Sequence, residues 1–308
     1  MTASQSSTRR GSTKIITAVR EGVLSFHLTD GWSTHDRGTS RQPIPGMGKS
    51  RCACAVQSFD AARKAGLPTH YIEQVSGQDL HVEEFAVPGA KSLSGKVHGQ
   101  VIPLEWIWRM VVSRRVVERV EAGTLRAEDL GLEPGTKVVE GMKLPKIFLE
   151  CSTKFEEVDR MLSDEEAFSL SGLTRSQWQE ACELIVAMVD VLVPGFKRAG
   201  FLLKDGKFEL GLLNTLRNNG CIVFVDVFGT QDENRIVDIA TGDIYDKDLI
   251  RLHLEATSWY QELKAAKVAY PHDKSKWPQY LRLPGQVVNL VSHRYSEVAR
   301  RRAGTHII

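Results

Sequence analysis

The sequence has no apolar run of the roughly 20 residues that a membrane-crossing helix needs, so no span is expected. It also lacks an excess of one charge: Lys plus Arg number 40 against 38 Asp plus Glu, a formal net charge of +2. So small an imbalance leaves no electrostatic footprint for nucleic acid or a membrane surface, and neither partner is expected. The basic run Arg300-Arg301-Arg302 reads as a solvated tail. Cysteines are few and scattered, five in all at Cys52, Cys54, Cys151, Cys182 and Cys221. Only the first two are close, and no second cysteine pair or histidine pair completes a zinc site. An odd number of dispersed thiols suits reduced, mostly buried side chains and a cytoplasmic protein. Residues 1–10 are Ser/Thr-rich, lack the apolar core of a signal peptide, and are expected to form a disordered leader. There is no internal repeat and no G-x-x-x-x-G-K-[ST] phosphate loop.

What is present is the composition of a globular protein, 42% hydrophobic and 25% charged, long enough for several lobes around a cleft. β-Branched and alternating residues predict strands at Lys14–Val19 and Val23–Thr29, joined by a turn at Arg20-Glu21-Gly22. A long polar, Gly/Pro-rich loop ends at Pro43-Ile44-Pro45-Gly46-Met47-Gly48, of the kind that often carries function. A helix is predicted over Cys52–Ala65, with strands at Thr69–Val75, Leu80–Phe85, Val101–Val112 and Ile147–Ser152. Val111–Glu121 turns helical, and the charged, Gly-rich segment Leu125–Lys143 reads as a surface excursion. Thr174 with Gln177 forms a capping-box pattern for a helix over Arg175–Arg198, which Pro194-Gly195 should kink or split. Two strands, Lys207–Leu212 and Ile222–Phe228, flank a hairpin at Asn214–Gly220, and helices follow at Lys247–Lys267 and Pro284–Arg302. The class is α+β with mostly antiparallel pairing.

The sharpest chemistry lies in that hairpin. Period-2 alternation puts Lys207, Glu209 and Gly211 on one face and Phe208 and Leu210 on the other. Asp226 interrupts a β-branched and aromatic strand, where an ionised carboxylate is costly without a cationic partner. Antiparallel pairing would bring Glu209 and Asp226 together beside Lys207. Two carboxylates on adjacent strands can hold Mg²⁺ while ATP phosphates fill its other positions, and a lysine can neutralise charge on the transferring phosphoryl group. A lysine–carboxylate pair on a solvated sheet face has the same spacing. Gly11-Ser12-Thr13-Lys14 permits a close backbone approach to phosphate with a lysine in reach, though an ordinary turn would read alike.

Several stretches together resemble SAICAR synthetase (phosphoribosylaminoimidazole-succinocarboxamide synthase). Gly11-Ser12-Thr13-Lys14-Ile15-Ile16 is similar to the family's opening G-K-x-[KR]-x-[IV] strand, and Thr29-Asp30-Gly31-Trp32-Ser33-Thr34-His35-Asp36 to T-D-R-I-S-A-[FY]-D. Ile44-Pro45-Gly46-Met47-Gly48 matches I-P-x-K-G, and Pro103-Leu104-Glu105-Trp106-Ile107-Trp108-Arg109 matches P-[LV]-E-x-[IV]-V-R. Leu144-Pro145-Lys146 through Ser152-Thr153-Lys154-Phe155-Glu156 resembles P-x-P…S-T-K-x-E. The fullest match is Ala199-Gly200-Phe201-Leu202-Leu203-Lys204-Asp205-Gly206-Lys207-Phe208-Glu209-Leu210-Gly211-Leu212 against A-G-[IL]-I-[IL]-x-D-x-K-[FL]-E-F-G-[IL]. Val225-Asp226, Asp232-Glu233-Asn234-Arg235 and Tyr245-Asp246-Lys247-Asp248 to Arg251 follow in family order.

The resemblance implies an N-terminal antiparallel β lobe over 11–100, packed on an ATP-grasp-like α+β lobe over 101–308 with Mg-ATP between them. It implies activation of an imidazole carboxylate as an acyl phosphate, then attack by the aspartate amine; for this chain the expected partners are an azole or purine-like carboxylate and an amine. Lys207, Glu209 and Asp226 carry over as catalytic residues, with Glu209 and Asp226 as metal ligands. Gly11, Ser12 and Lys14 join them around ATP, and Ser33, Asp36, Arg109, Lys154, Asp232, Arg235 and Arg251 fall on the substrate side. The departures are Ser12 and Gly31 for the family's lysine and arginine, Val227 for a glutamate, Met110-Val111-Val112-Ser113-Arg114-Arg115 for G-Y-x-x-G-S, and no His-Asp pair near Val158-Asp159-Arg160-Met161. Most lie on the acceptor side. The function expected is therefore a divergent ligase of specialised nucleoside biosynthesis, such as a pentostatin- or formycin-type antibiotic pathway. The alternatives are housekeeping SAICAR synthetase using carboxyaminoimidazole ribotide and L-aspartate, and a nucleotide-binding protein without ligase activity.

Overall fold

The computed structural model describes residues 8–156, 159–213 and 221–304. Its first sheet is antiparallel throughout, built from β1 (Thr8–Arg10), β2 (Lys14–Arg20), β3 (Val23–Leu28), β4 (Tyr71–Gln74) and β5 (Asp79–Glu83) in the order β1-β2-β3-β5-β4. Alternation drives it: Leu24, Phe26 and Leu28 of β3 and Leu80 and Val82 of β5 point to one side and are buried. Helix α1 (Met47–Lys64) packs on β3 with Cys52, Ala55, Phe59 and Ala62 inward.

The second sheet begins with β6 (Phe85–Ala86) and β7 (Gly99–Val101), then β8 (Leu104–Val111). Pro103 separates the last two because it has no N–H to give a ladder, so the single strand expected over Val101–Val112 is two. After α2 (Arg114–Glu121) come β9 (Lys143–Thr153), α3 (Asp164–Ser171), α4 (Arg175–Arg198) and β10 (Phe201–Leu213). Strands β11 (Ile222–Val225) and β12 (Asn234–Asp238) complete the sheet, and α5 (Asp248–Glu255), α6 (Ser258–Ala269) and α7 (Gly285–Gly304) end the described chain. The 13-residue β10 is the spine: its Phe201–Gly206 stretch pairs with β12, its Glu209–Leu212 stretch with β11, and β8 and β7 lie along its other side. Trp106, Trp108, Phe208, Leu210 and Phe224 face the same core as the first sheet, capped by α4.

α4 starts where predicted, with Thr174 and Gln177 forming the reciprocal capping box, but it runs unbroken through Pro194. Other expectations change. Thr8–Arg10 form a strand on β2 instead of belonging to a disordered leader. α1 opens at Met47, five residues early, because the Asp30 carboxylate accepts from the N–H groups of Gly46 (3.2 Å) and Gly48 (2.8 Å) and tethers its first turn. The 125–143 excursion buries Leu125, Ala127, Leu130 and Val138 against Val112 and Val116, so it has a small core of its own. The helix expected over Lys247–Lys267 is broken at Thr257 into α5 and α6, and α3 and β12 were not anticipated. The predicted hairpin at Asn214–Gly220 lies outside the described residues. Among those described, no helix is long and apolar enough to cross a membrane.

The loop before α1 is held by Trp32 and Ile44, which enter a second core with Ile250, Trp259, Leu263, Trp277 and Tyr295 of the C-terminal helices and their connections. This packing places Thr29, Asp30, Thr39 and Pro43 along a small cavity beside Gly11 and Ser12.

Candidate active site

β10 supplies the floor. Phe208 and Leu210 are buried in the core, so Lys207 and Glu209 project from the opposite face, as alternation predicts. Gly206 and Gly211 are required by packing: a Cβ would lie 2.7 Å from the Trp108 ring at the first and 2.7 Å from Phe85 at the second. Glu209 is the cross-strand partner of Val225, so Asp226 emerges beside it at the end of β11. Asp226 has φ 60, in the left-handed region that costs a non-glycine residue, and this ends the strand short of the expected Phe228. Its carboxylate accepts from the Val227 N–H at 2.6 Å, and the buried His70 sits 3.3 Å from its carbonyl oxygen.

Cations from two other strands or strand ends meet these carboxylates, and a third lysine lies on β10 itself. Lys14, at the start of β2, binds Asp226, and Lys154, just past β9, binds Glu209. Lys207 is 2.6 Å from Glu105 of β8 and 3.4 Å from Glu233. Burial and the Asp226 charge push Glu209 above the usual carboxylate range, whereas Lys14 and Lys154 overcome burial and hold Asp226 below it. Burial opposes the charge on Lys207, but Glu233, Glu105 and Glu209 outweigh it and keep the ammonium charged. The described residues include no cluster of three metal-ligating side chains. Glu209 and Asp226 are instead two adjacent half-buried carboxylates whose mutual repulsion a divalent cation would relieve, with phosphate oxygens completing its shell and re-pairing the released lysines. The residues present fit Mg²⁺ bound together with a polyphosphate.

The predicted substrate residues divide. Arg235 on β12 and Arg251 on α5 converge on Asp248, at 3.1 and 2.8 Å, beside the floor. Asp36 is exposed, has φ 58 and pairs with Lys267 at 3.0 Å, while Ser33 lies beside Tyr280. Gly11 and Ser12 line a small cavity of about 240 Å³ with Arg10, Gly31 and Arg41. Two more of these residues are paired deep within the protein. Arg109 is buried and bound to Glu150 (2.7 Å) and Asp205 (2.8 Å), and Arg119 adds to Glu150, so protein carboxylates occupy its guanidinium. Asp232 is buried against Arg51 (2.5 Å) and the Tyr295 hydroxyl (2.7 Å) and ties the loop before β12 to α1 and α7. Sequence reasoning passed over Glu105, Glu233 and Lys247. Alternation in β8 could have found Glu105, which shares a face with Arg109, whereas Glu233 and Lys247 lie on irregular backbone with no periodicity to mark them.

With this geometry in view, comparison with known proteins is decisive. The sequence profile of the SAICAR synthetase family matches residues 7–266.

The chain belongs to the SAICAR synthetase family.

Among its relatives, the phosphoribosylaminoimidazole-succinocarboxamide synthase of Thermoplasma volcanium is 31% identical over 250 residues, covering 80% of this chain and 82% of that protein. The synthase of Thermoplasma acidophilum is 29% identical over 287 residues, covering 92% and 93%. The fold is shared with the SAICAR synthase of Saccharomyces cerevisiae solved with SAICAR, at TM-score 0.72 and 21% identity over 99% of this chain and 97% of that one. It is shared equally with a SAICAR synthetase solved in complex with ADP, at TM-score 0.69 and 21% identity over 97% and 98%. Family membership makes this protein an ATP-dependent carbon–nitrogen ligase acting on small molecules.

Proposed function

We propose that this enzyme uses Mg-ATP to phosphorylate an azole carboxylate and joins the resulting acyl phosphate to an amino acid as an amide, as a SAICAR synthetase. The observation that carries this reading is the convergence of Lys14, Lys154 and Lys207 on Glu209 and Asp226, a set that complements a triphosphate and a divalent cation together. Mg²⁺ held by Glu209 and Asp226 would screen the phosphate charges and favour loss of ADP. Lys207 is held cationic by its carboxylate neighbours and is suited to stabilise charge on the transferring phosphoryl group. Lys14 and Lys154 would turn from Asp226 and Glu209 to phosphate oxygens. Arg235 and Arg251, braced by Asp248, present guanidinium groups for a carboxylate of the amine substrate. The names of the curated relatives favour carboxyaminoimidazole ribotide and L-aspartate over a specialised antibiotic pathway, for which no comparison offers support.

One observation favours a second reading, with a different azole acid as acceptor. Arg109 is bound by Glu150 and Asp205, which leaves it little charge to offer an anionic substituent of the substrate. Purified enzyme given ATP, Mg²⁺, carboxyaminoimidazole ribotide and L-aspartate distinguishes the two. Stoichiometric ADP, phosphate and amide establish the first reading. Turnover confined to another azole acid establishes the second, and ATP binding without turnover on any acid refutes both.

A further inference from the structure

Beside the phosphoryl-transfer floor, Glu233 is bound by one lysine and feels the charge of a second. Lys207 pairs with one of its oxygens at 3.4 Å, and Lys247, immediately before α5, lies within its electrostatic reach. Lys247 differs from the lysines and arginines on and beside that floor. Lys14, Lys154, Lys207, Arg235 and Arg251 each hold a carboxylate, whereas Lys247 makes no ion pair with any described residue. The charged groups facing it are Arg251 from its own helix, Arg235 from β12, and Glu233 and Asp232 from the loop before β12. Asp232 is already committed to Arg51, and Asp248 of the same helix is shared by the two arginines, so neither is free to hold the Lys247 ammonium.

We propose that Lys247 is the general base that takes a proton from the incoming ammonium group before the amine attacks the acyl phosphate. The assignment rests on the ligase reading above. An α-ammonium group has no lone pair, and the site must neutralise it without neutralising the lysines that hold phosphate. Among the lysines described in the site, only Lys247 adjoins Asp248, which Arg235 and Arg251 both bind, and its carbonyl accepts from the Arg251 N–H at 3.2 Å, while its ammonium stands outside the paired set. Burial, then the charges of Arg251 and Arg235, lower its amine to about 8 against the pull of Glu233 and Asp232, which keeps part of it unprotonated near neutral pH. In the step, one ammonium proton moves to Lys247 Nζ. The freed lone pair forms the C–N bond, the C–O bond to phosphate breaks with its electrons going to the phosphate oxygen, and a second nitrogen proton leaves with that phosphate. Lys247 then returns its proton to water.

The test compares wild type with Lys247→Met and Lys247→Arg, using ATP, Mg²⁺ and carboxyaminoimidazole ribotide with either L-aspartate or hydroxylamine. Hydroxylamine is largely unprotonated at neutral pH and traps an acyl phosphate without a base. Both variants should lose amide formation by about 100-fold or more while hydroxamate formation stays near wild type, which also shows that they fold. In wild type, kcat/KM for L-aspartate should rise with pH through an apparent pKa near 8 and level off; in the variants that limb should be absent. Equal loss of amide and hydroxamate, or a variant that keeps its amide rate, overturns the assignment. Absence of hydroxamate from wild type refutes the acyl-phosphate reading itself and this assignment with it.

Discussion

Arg51 and Asp232 form a 2.5 Å ion pair between α1 and the loop before β12, shut away from solvent. Removing one partner leaves the other charge buried and unmatched, at a cost of about 3–5 kcal/mol. Arg51→Leu should therefore lower the denaturant midpoint at unchanged slope. The double variant Arg51→Leu with Asp232→Leu should recover part of the loss. A single variant as stable as wild type would show that the pair does not hold the loop.

Glu209→Gln and Asp226→Asn each remove one of the two adjacent carboxylates. Turnover should fall by about 100- to 1,000-fold with circular dichroism unchanged. Half-maximal activity should also move to higher Mg²⁺. Near-normal rates in both variants would defeat the metal assignment.

Arg235→Ala should raise KM for the amine substrate by about tenfold or more, in line with loss of a charge-assisted hydrogen bond, and leave KM for ATP close to wild type. Asp248 keeps Arg251 as a partner, so the fold should tolerate the change. Arg109→Ala should behave differently, because it strands Glu150 and Asp205 inside the protein and costs stability before it affects any substrate. Equal loss of ATP affinity in Arg235→Ala would place that arginine on the wrong side of the site.

Gly206→Ala places a methyl group 2.7 Å from the Trp108 ring, which is completely buried and has nowhere to move. Overpacking of this kind costs about 1–3 kcal/mol. A thermal melt should show the loss, and the tryptophan emission should shift as the ring is displaced. An unaltered melting temperature would mean that β8 and β10 can separate freely.

Burial lowers His70 to about 4, with Asp226 opposing. Below pH 6.5 the unfolded chain takes up a proton that the folded chain refuses until about pH 4, so stability falls as the pH drops through that window. The full contribution is about 3 kcal/mol. In metal-free protein, His70→Asn should flatten the decline in unfolding free energy between those pH values, measured by urea titration. A decline as steep as in wild type would assign it to other groups.

The parts of this architecture legible from sequence are those whose signal is local. The capping box at Thr174 and Gln177, the alternation of Lys207 to Gly211 and the left-over carboxylate at Asp226 each announce themselves within a few residues. β12 escaped because Asn-Arg-Ile-Val-Asp is short and half polar, and it becomes a strand only because β10 offers an edge. The partners of the charged residues were hidden for a different reason. Arg109 reads as a substrate arginine from its motif, but β9 places Glu150 and β10 places Asp205 against it, and neither contact has a sequence period. The ordered motifs carried the family, whereas the partners of the charged residues appeared only with the tertiary pairings.

The mutual neutralisation of Lys14 with Asp226 and Lys154 with Glu209 has a consequence for selectivity. A bare anion that displaced the carboxylates would leave them facing each other without a counterion, and a bare cation would do the same to the lysines. Only a guest bringing both signs at once can exchange all four partners. The resting site should therefore ignore free phosphate, sulfate and uncomplexed nucleotide at cellular concentrations and respond to the metal chelate as a unit.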